Sequence, residues 1–199
     1  MKWDDAIAMP TPNQKFEFQE LRRFLHTSEP AELGPTARSG TLPHEPIEEA
    51  IRAVVGETIL AERTGELIRG TLLLWHDHLD AAHAIAQSIE NADGSLLHAI
   101  MHRREPDYWN SKYWFQHAGK HICYSAIAAR AGALLEHDRE KRFTALVLNG
   151  NWDPFAFVDA CEELERGGRG GTQKDILRKI QKIEFEAFLD HVLQQALEP

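Results

Sequence analysis

Between Trp75 and His121 the chain carries most of its eleven histidines and three of its five tryptophans. The stretch reads WHDHLDAAHAIAQSIENADGSLLHAIMHRREPDYWNSKYWFQHAGKH. Large aromatics beside so many titratable groups suit neither a solvated face nor an apolar core. The mixture is expected to line a polar pocket.

Metal chemistry is the first use of such a pocket. His98 and His102 have the i,i+4 spacing of helical metal ligands. If residues 64–90 form one long helix, His76, Asp80 and His83 share a stripe and His78 points away. His76 and His83 would then be separated by roughly 10 Å of rise, too far to share one ion. A pair can ligate, either His76 with Asp80 or Asp80 with His83. A break at Asn91-Ala92-Asp93-Gly94 would fold the two helices together. The expected site is therefore His76, Asp80, His98 and His102, a set that suits a divalent zinc, iron or manganese ion with open positions for water. The competing reading of the same residues is a metal-free, buried hydrogen-bond network.

A second constellation follows directly. Arg103, Arg104, Glu105, Asp107, Asn110 and Lys112 are interleaved with Trp109, Tyr113 and Trp114. Guanidinium groups bind carboxylate or phosphate, and aromatic rings stack on a sugar, a base or a cation. Together they suit a small anionic or polyhydroxylated ligand. In the alternative reading the arginines pair with Glu105 and Asp107 and lock the corner at Pro106. Ser95 lacks an oxyanion-loop signature, and Cys123 falls on the wrong side of a helix from His121, so no serine or cysteine hydrolase is expected.

Helices must position these groups. Pro46 opens an apolar stripe of Ile47, Ala50, Ile51, Val54 and Val55. The 64–90 helix follows, with Gly70 as a site for a kink. A helix capped by Asp93 or Ser95 runs to Arg104. Others are expected over Asp107 to Ala118 and over the alanine-rich Tyr124 to Glu136. Phe143 to Leu148 favours strand by composition, but no partner strand is evident and helix is preferred there. Asp153-Pro154 starts a helix to Arg166, and Thr172 caps a last one to Leu197. The expected fold is all-α, one bundle of about six or seven helices over 46–199. Residues 1–45, punctuated by five prolines, form an N-terminal arm. Its Phe16–Leu25 piece is expected to grip the body, and its remainder to be either a lid or a packed or partly disordered arm.

Composition narrows the partners. A formal charge of −9 lacks the basic face that phosphate neutralisation needs, so no nucleic acid is expected. No apolar run reaches the roughly 20 residues of a membrane span. MKWDDAIAMP has acids where a signal peptide needs an apolar core, and two cysteines build no disulfide framework. The GGRGG turn lacks the Lys-Ser/Thr ending of a phosphate loop. The expectation is a soluble, cytoplasmic protein that binds a small molecule.

The runs WHDHLDAAHAIAQ, GSLLHAIMHRREPDYWNSKYWF and WDPFAFVDACEE resemble a family of uncharacterised bacterial and fungal proteins, over about residues 72–165. The resemblance implies that Trp75–Asp80, His98–Asp107, Asn110–Phe115 and Trp152–Asp159 belong to one structural unit. It carries over no activity, cofactor or catalytic role. Two functions stay open: a small-molecule enzyme or ligand binder, with or without a metal, and a non-catalytic protein whose histidines are structural.

Overall fold

The axis of the molecule is helix α4, Ala92–Arg104, in which every residue from Asp93 to Arg104 is buried. The computed structural model describes residues 20–60, 63–137, 142–168 and 170–196. A helix buried on all sides shows little amphipathic contrast and has to lie inside the bundle. Its start is fixed by Asn91, whose side chain accepts the Gly94 N–H at 2.8 Å. The other helices are α1 (His44–Leu60), α2 (Arg63–Trp75), α3 (Leu79–Ala86), α5 (Tyr108–Ala118), α6 (Cys123–Glu136), α7 (Pro154–Arg166) and α8 (Thr172–Gln195). Helices α2, α3 and α5 pack around α4, while α8 closes the bundle against α2, α6 and α7. The fold is all-α, with eight α-helices among the described residues.

One more helix is present than the upper expectation because 64–90 is not continuous. Helix α2 ends at Trp75, and Asp77 adopts a left-handed conformation at φ +69°. Aspartate tolerates that region better than most residues. Here two arginines hold it: Asp77 Oδ1 accepts from Arg104 Nη2 at 2.7 Å, and Oδ2 accepts from the Arg38 backbone N–H at 3.1 Å and faces the Arg38 Nε at 3.3 Å. The break resets the helical phase, so α3 does not continue the face of α2. Gly70 allows close contact. A Cβ there would meet Leu97 Cδ2 at 2.7 Å and Ile85 Cγ2 at 3.1 Å, so the missing side chain lets α3 and α4 close on α2.

The arm is part of the core from residue 20 onward; Phe16 to Gln19 lie outside the described residues. Leu21, Leu25, Ala31 and Leu33 are buried. Backbone carbonyls of the strap are taken up from inside: Gln181 Nε2 donates to Ala31 O at 3.1 Å and Glu32 O at 2.9 Å, and Arg104 Nε donates to Glu32 O at 3.0 Å. Buried donors thus replace the water that a surface loop would use.

Phe143 to Leu148 is neither one helix nor one strand. A 3-10 turn, Thr144–Leu146, leads into β1 (Val147–Leu148), which pairs antiparallel with β2 (Asn151–Trp152). Asn149 (φ +52°) and Gly150 (φ +75°) form the two-residue turn. That Asn-Gly turn was the partner-strand signal. Asp153 caps α7 as expected, its side chain accepting from Phe155 N and Ala156 N at 3.0 Å. Helix α8 begins after Gly171, without a side-chain cap from Thr172. Among the described residues no helix is long and apolar enough to cross a membrane.

Candidate metal centre

His98 and His102 stand one turn apart on α4, and α3 folds back to present His83 to both. Ring centroids are separated by 4.7 Å (His98 to His102), 4.8 Å (His83 to His98) and 5.0 Å (His83 to His102). One nitrogen from each ring lies within 4.8 Å of the others. Small side-chain shifts would bring three imidazoles onto one ion at about 2.0–2.1 Å.

Three nitrogens of this cluster are buried without a hydrogen-bond partner among the described residues. Among the described residues neither His98 Nδ1 nor His98 Nε2 has a hydrogen-bond partner, although the residue is only 3% exposed. His102 Nδ1 also lacks a hydrogen bond and faces Glu105 Oε2 at 3.3 Å. Buried polar atoms are nearly always satisfied, so unpartnered imidazole nitrogens gathered at one point are where a bound water or a ligand would sit. Burial, reinforced by His102 and His83, pushes the His98 pKa down to about 3. Burial and His83 lower His102 as well. His98 and His102 are therefore neutral near pH 7, the form that binds metal. Stacking orients His98 in place of a hydrogen bond: Trp114 covers one side at 4.1 Å and 23°, and His102 stacks at 4.7 Å and 18°.

Glu105 adds a carboxylate. Its Oε1 lies 3.7 Å from His83 Nδ1, opposite the His102 contact. The same residue lines an open cleft of about 520 Å³ with Pro35, Asp77, Leu79, Asp80 and Asp107. Asp77 is neutralised by Arg38 and Arg104, whereas Asp80 is exposed. The cleft beside the histidines is acidic.

Only half of the expected quartet belongs to this group. His76 sits at the end of α2, where its Nδ1 accepts the Leu42 N–H at 3.1 Å and its ring meets Phe24 edge-on. Burial and then Arg38 lower its pKa to about 4. His78 Nε2 bonds the Leu42 carbonyl at 2.8 Å, so both histidines fasten the arm. Asp80 lines the cleft but is outside the three-histidine group. The stripe joining His76, Asp80 and His83 needed an unbroken helix, and the turn at Asp77 removes it. His83 takes the place foreseen for the other two.

The arginines are a correction. Arg103 is fully buried and forms an ion pair with fully buried Glu184 on α8, with Glu184 Oε1 at 3.2 Å and Gln181 Oε1 at 3.3 Å. Its guanidinium also lies over Phe157 at 4.3 Å. Arg104, equally buried, is saturated by Asp77, Glu32 O, Leu74 O and Gly34 O. Neither is presented to an anion, and neither pairs with Glu105 or Asp107. Asp107 caps α5, and Asn110 Nδ2 donates to its Oδ2 at 2.6 Å. Lys112 pairs with Asp159. Trp109 is 74% and Tyr113 42% exposed.

A second histidine group lies at the other end of α4. Asp93 Oδ1 accepts from both His121 Nε2 and His191 Nε2 at 2.8 Å, and Gln195 Nε2 donates to Oδ2 at 3.2 Å. Burial opposes the charge on Asp93, but these hydrogen bonds outweigh it and hold the carboxyl well below the usual range. Cys123 Sγ joins His121 and His191 within 4.8 Å. The Cys123 N–H donates to His121 Nδ1 at 3.2 Å, which leaves the ring proton on Nε2 for Asp93. His121 thus has no lone pair to spare for a metal. Burial pushes the Cys123 thiol up to about 12, so it is no nucleophile near neutral pH. This group staples α8 to the start of α4. No family model, curated protein or solved structure matches the chain, so the site's chemistry carries the functional reading.

Proposed function

We propose that His83, His98 and His102 bind one divalent first-row transition metal, with Glu105 as the adjacent carboxylate, and that the protein is a metal-dependent enzyme. One observation carries this reading: His98 is buried with both ring nitrogens unpartnered, inside a cluster of three imidazoles. Three nitrogens and one oxygen suit zinc, and also iron(II) or manganese(II). Such an ion would supply Lewis acidity and lower the pKa of a bound water. Glu105 is placed to accept a proton from that water or to fill a coordination position. The half-buried location beside the acidic cleft favours a small neutral or cationic substrate over an anion, because the arginines are spent inside the protein.

Metal analysis of purified protein, before and after reconstitution with Zn²⁺, tests the proposal. One equivalent per chain is expected, lost in His98→Ala and His102→Ala and kept in His76→Ala. No stoichiometric metal under either condition would make the three imidazoles a stacked packing element, the non-catalytic reading of the chain.

A further inference from the structure

The turn at Asp77, the start of α3, the corner between α4 and α5 and Pro35 of the strap line the open cleft of about 520 Å³. Four of its lining residues are carboxylates, Asp77, Asp80, Glu105 and Asp107, and none is a lysine or arginine. The protein matches these four charges unequally. Asp77 is neutralised by the buried side chains of Arg38 and Arg104. Asp107 accepts from neutral donors, the Asn110 N–H and its side-chain amide. Glu105 lies between His83 and His102. Asp80, in the first turn of α3, is exposed, and its side chain has no ion pair or hydrogen bond among the described residues.

A buried, unpartnered group adjoins these acids. His102 is 7% exposed, and its Nδ1 has no hydrogen bond. That nitrogen lies 3.3 Å from Glu105 Oε2 and 4.0 Å from Asp107 Oδ2, both residues of the cleft. The histidine centre therefore meets the cleft through His102 and Glu105.

The arrangement narrows the ligand. Carboxylates without a matching lysine or arginine in a concave site attract cations and repel phosphates and carboxylates. A bare divalent ion needs oxygens that converge on one point. Among the described residues the groups of three donors within 4.8 Å of one another are His83–His98–His102 and His121–Cys123–His191, and neither includes an acid. Negative charge spread along a cleft suits a cation whose charges are spread along a chain. Leu79 and Pro35 supply apolar wall for methylene groups. An aliphatic di- or polyamine has both features, ammonium groups separated by methylene spacers.

We propose that this cleft binds an aliphatic di- or polyamine, with Asp80 as the anchoring carboxylate, and that an amine of this class is the substrate of the His83–His98–His102 centre. Binding rests on the charges of the cleft; the substrate role rests on the metal reading.

Calorimetric titration of the full chain with spermidine, putrescine, butylamine and the uncharged butanediol, in about 0.15 M salt, tests the binding. Each is run on metal-free and Zn²⁺-loaded protein. Saturable binding is expected, tightest for spermidine, weaker for putrescine, weaker again for butylamine and absent for the diol. Asp80→Asn should weaken spermidine at least about tenfold. Glu90→Gln, which removes one exposed charge outside the cleft, should leave the affinity unchanged. Circular dichroism should show that both variants keep the helical fold. No saturable binding of spermidine or putrescine would overturn the proposal. So would equal losses in Asp80→Asn and Glu90→Gln, which would make the attraction a property of the whole −9 chain. Displacement of spermidine by equimolar Mg²⁺ would overturn it too, as a site for divalent ions. The substrate role is read on Co²⁺-substituted protein, whose visible spectrum should shift on saturation with the amine. An unchanged spectrum would place the amine away from the metal and remove that role. Metal content separates the two readings. Amine binding without stoichiometric metal keeps the binding site and removes the centre; stoichiometric metal without amine binding does the reverse.

Discussion

Helix α4 carries a histidine-binding carboxylate at one end and two histidines toward the other, and the two ends have opposite hydrogen-bond states. At the Asp93 end, His121 has both nitrogens engaged, and one carboxylate serves two imidazoles and an amide. At the His98 end, three imidazoles meet, and both nitrogens of His98 and the Nδ1 of His102 are buried without a hydrogen-bond partner among the described residues. The residue types are alike and the burial is similar. A satisfied network stabilises the fold, because each member lowers the desolvation cost of the others. An unsatisfied one costs stability, and a fold retains it where a ligand completes it. Hydrogen-bond state, more than the presence of histidine, separates the two regions.

The sharpest way to break this contrast is to remove the shared acceptor. Asp93→Ala takes three hydrogen bonds from a charged group, each worth about 1.5–3 kcal/mol and not fully additive, so the loss should be roughly 3–5 kcal/mol. Chemical denaturation with an unchanged m-value checks it. A loss under 1 kcal/mol would show that the staple is incidental.

Acid titration of metal-free protein comes next. In the folded chain His76 and His98 have pKa values of about 4 and about 3, below the ordinary 6.5. The unfolded chain therefore binds more protons between these values, and stability rises with pH across that window. The stabilising neutral form is fully present above pH 6.5 and is lost as pH falls through the folded values. For His76 the shift corresponds to at most about 3 kcal/mol. Stability measured from pH 7 to pH 4 should fall steadily, and His98→Phe should flatten the curve. A flat wild-type curve would mean that these imidazoles are not held neutral by burial.

The sequence made the fold class and most helices legible because apolar stripes and caps are local signals. Asp153-Pro154 and Gly119 mark their boundaries by chemistry that neighbouring residues cannot override. The candidate site was half legible. His98 and His102 lie on one helix, so their spacing alone brings them together. His83 reaches them only because the chain turns at Asp77, and that turn depends on Arg38 and Arg104, which lie 39 and 27 residues away in the chain. The same distance problem hid Glu184 as the partner of Arg103, 81 residues on. Arg103 sits beside Glu105 in sequence, yet their helix positions face different neighbours. Because α4 is buried all round, its pattern could not reveal which side of it met which helix.

A smaller effect should follow from His121→Phe. The ring volume is kept, but Asp93 and the Cys123 N–H each lose a partner, which should cost about 1–3 kcal/mol. Metal content of this variant should match that of the parent. If Zn²⁺ stoichiometry falls in His121→Phe and not in His98→Phe, the two ends of α4 have been assigned the wrong way round.

The smallest expected change in stability belongs to His98→Phe, and it is the most informative substitution. Phenylalanine preserves a flat ring between Trp114 and His102, so the stack at 4.1 Å and 4.7 Å can persist. It removes two buried nitrogens that have no hydrogen-bond partner, so no satisfied interaction is lost. Replacing a buried polar group by an apolar one of the same shape is then nearly neutral or stabilising. In the metal-free state the change should lie within about 0.5 kcal/mol of zero or favour the fold. In the presence of Zn²⁺ the parent should gain stability by mass action and the variant should not. The two denaturation curves should therefore coincide without metal and separate with it. Coincidence under both conditions would show that His98 is packed for its shape alone, and the difference between the two ends of α4 would then carry no function.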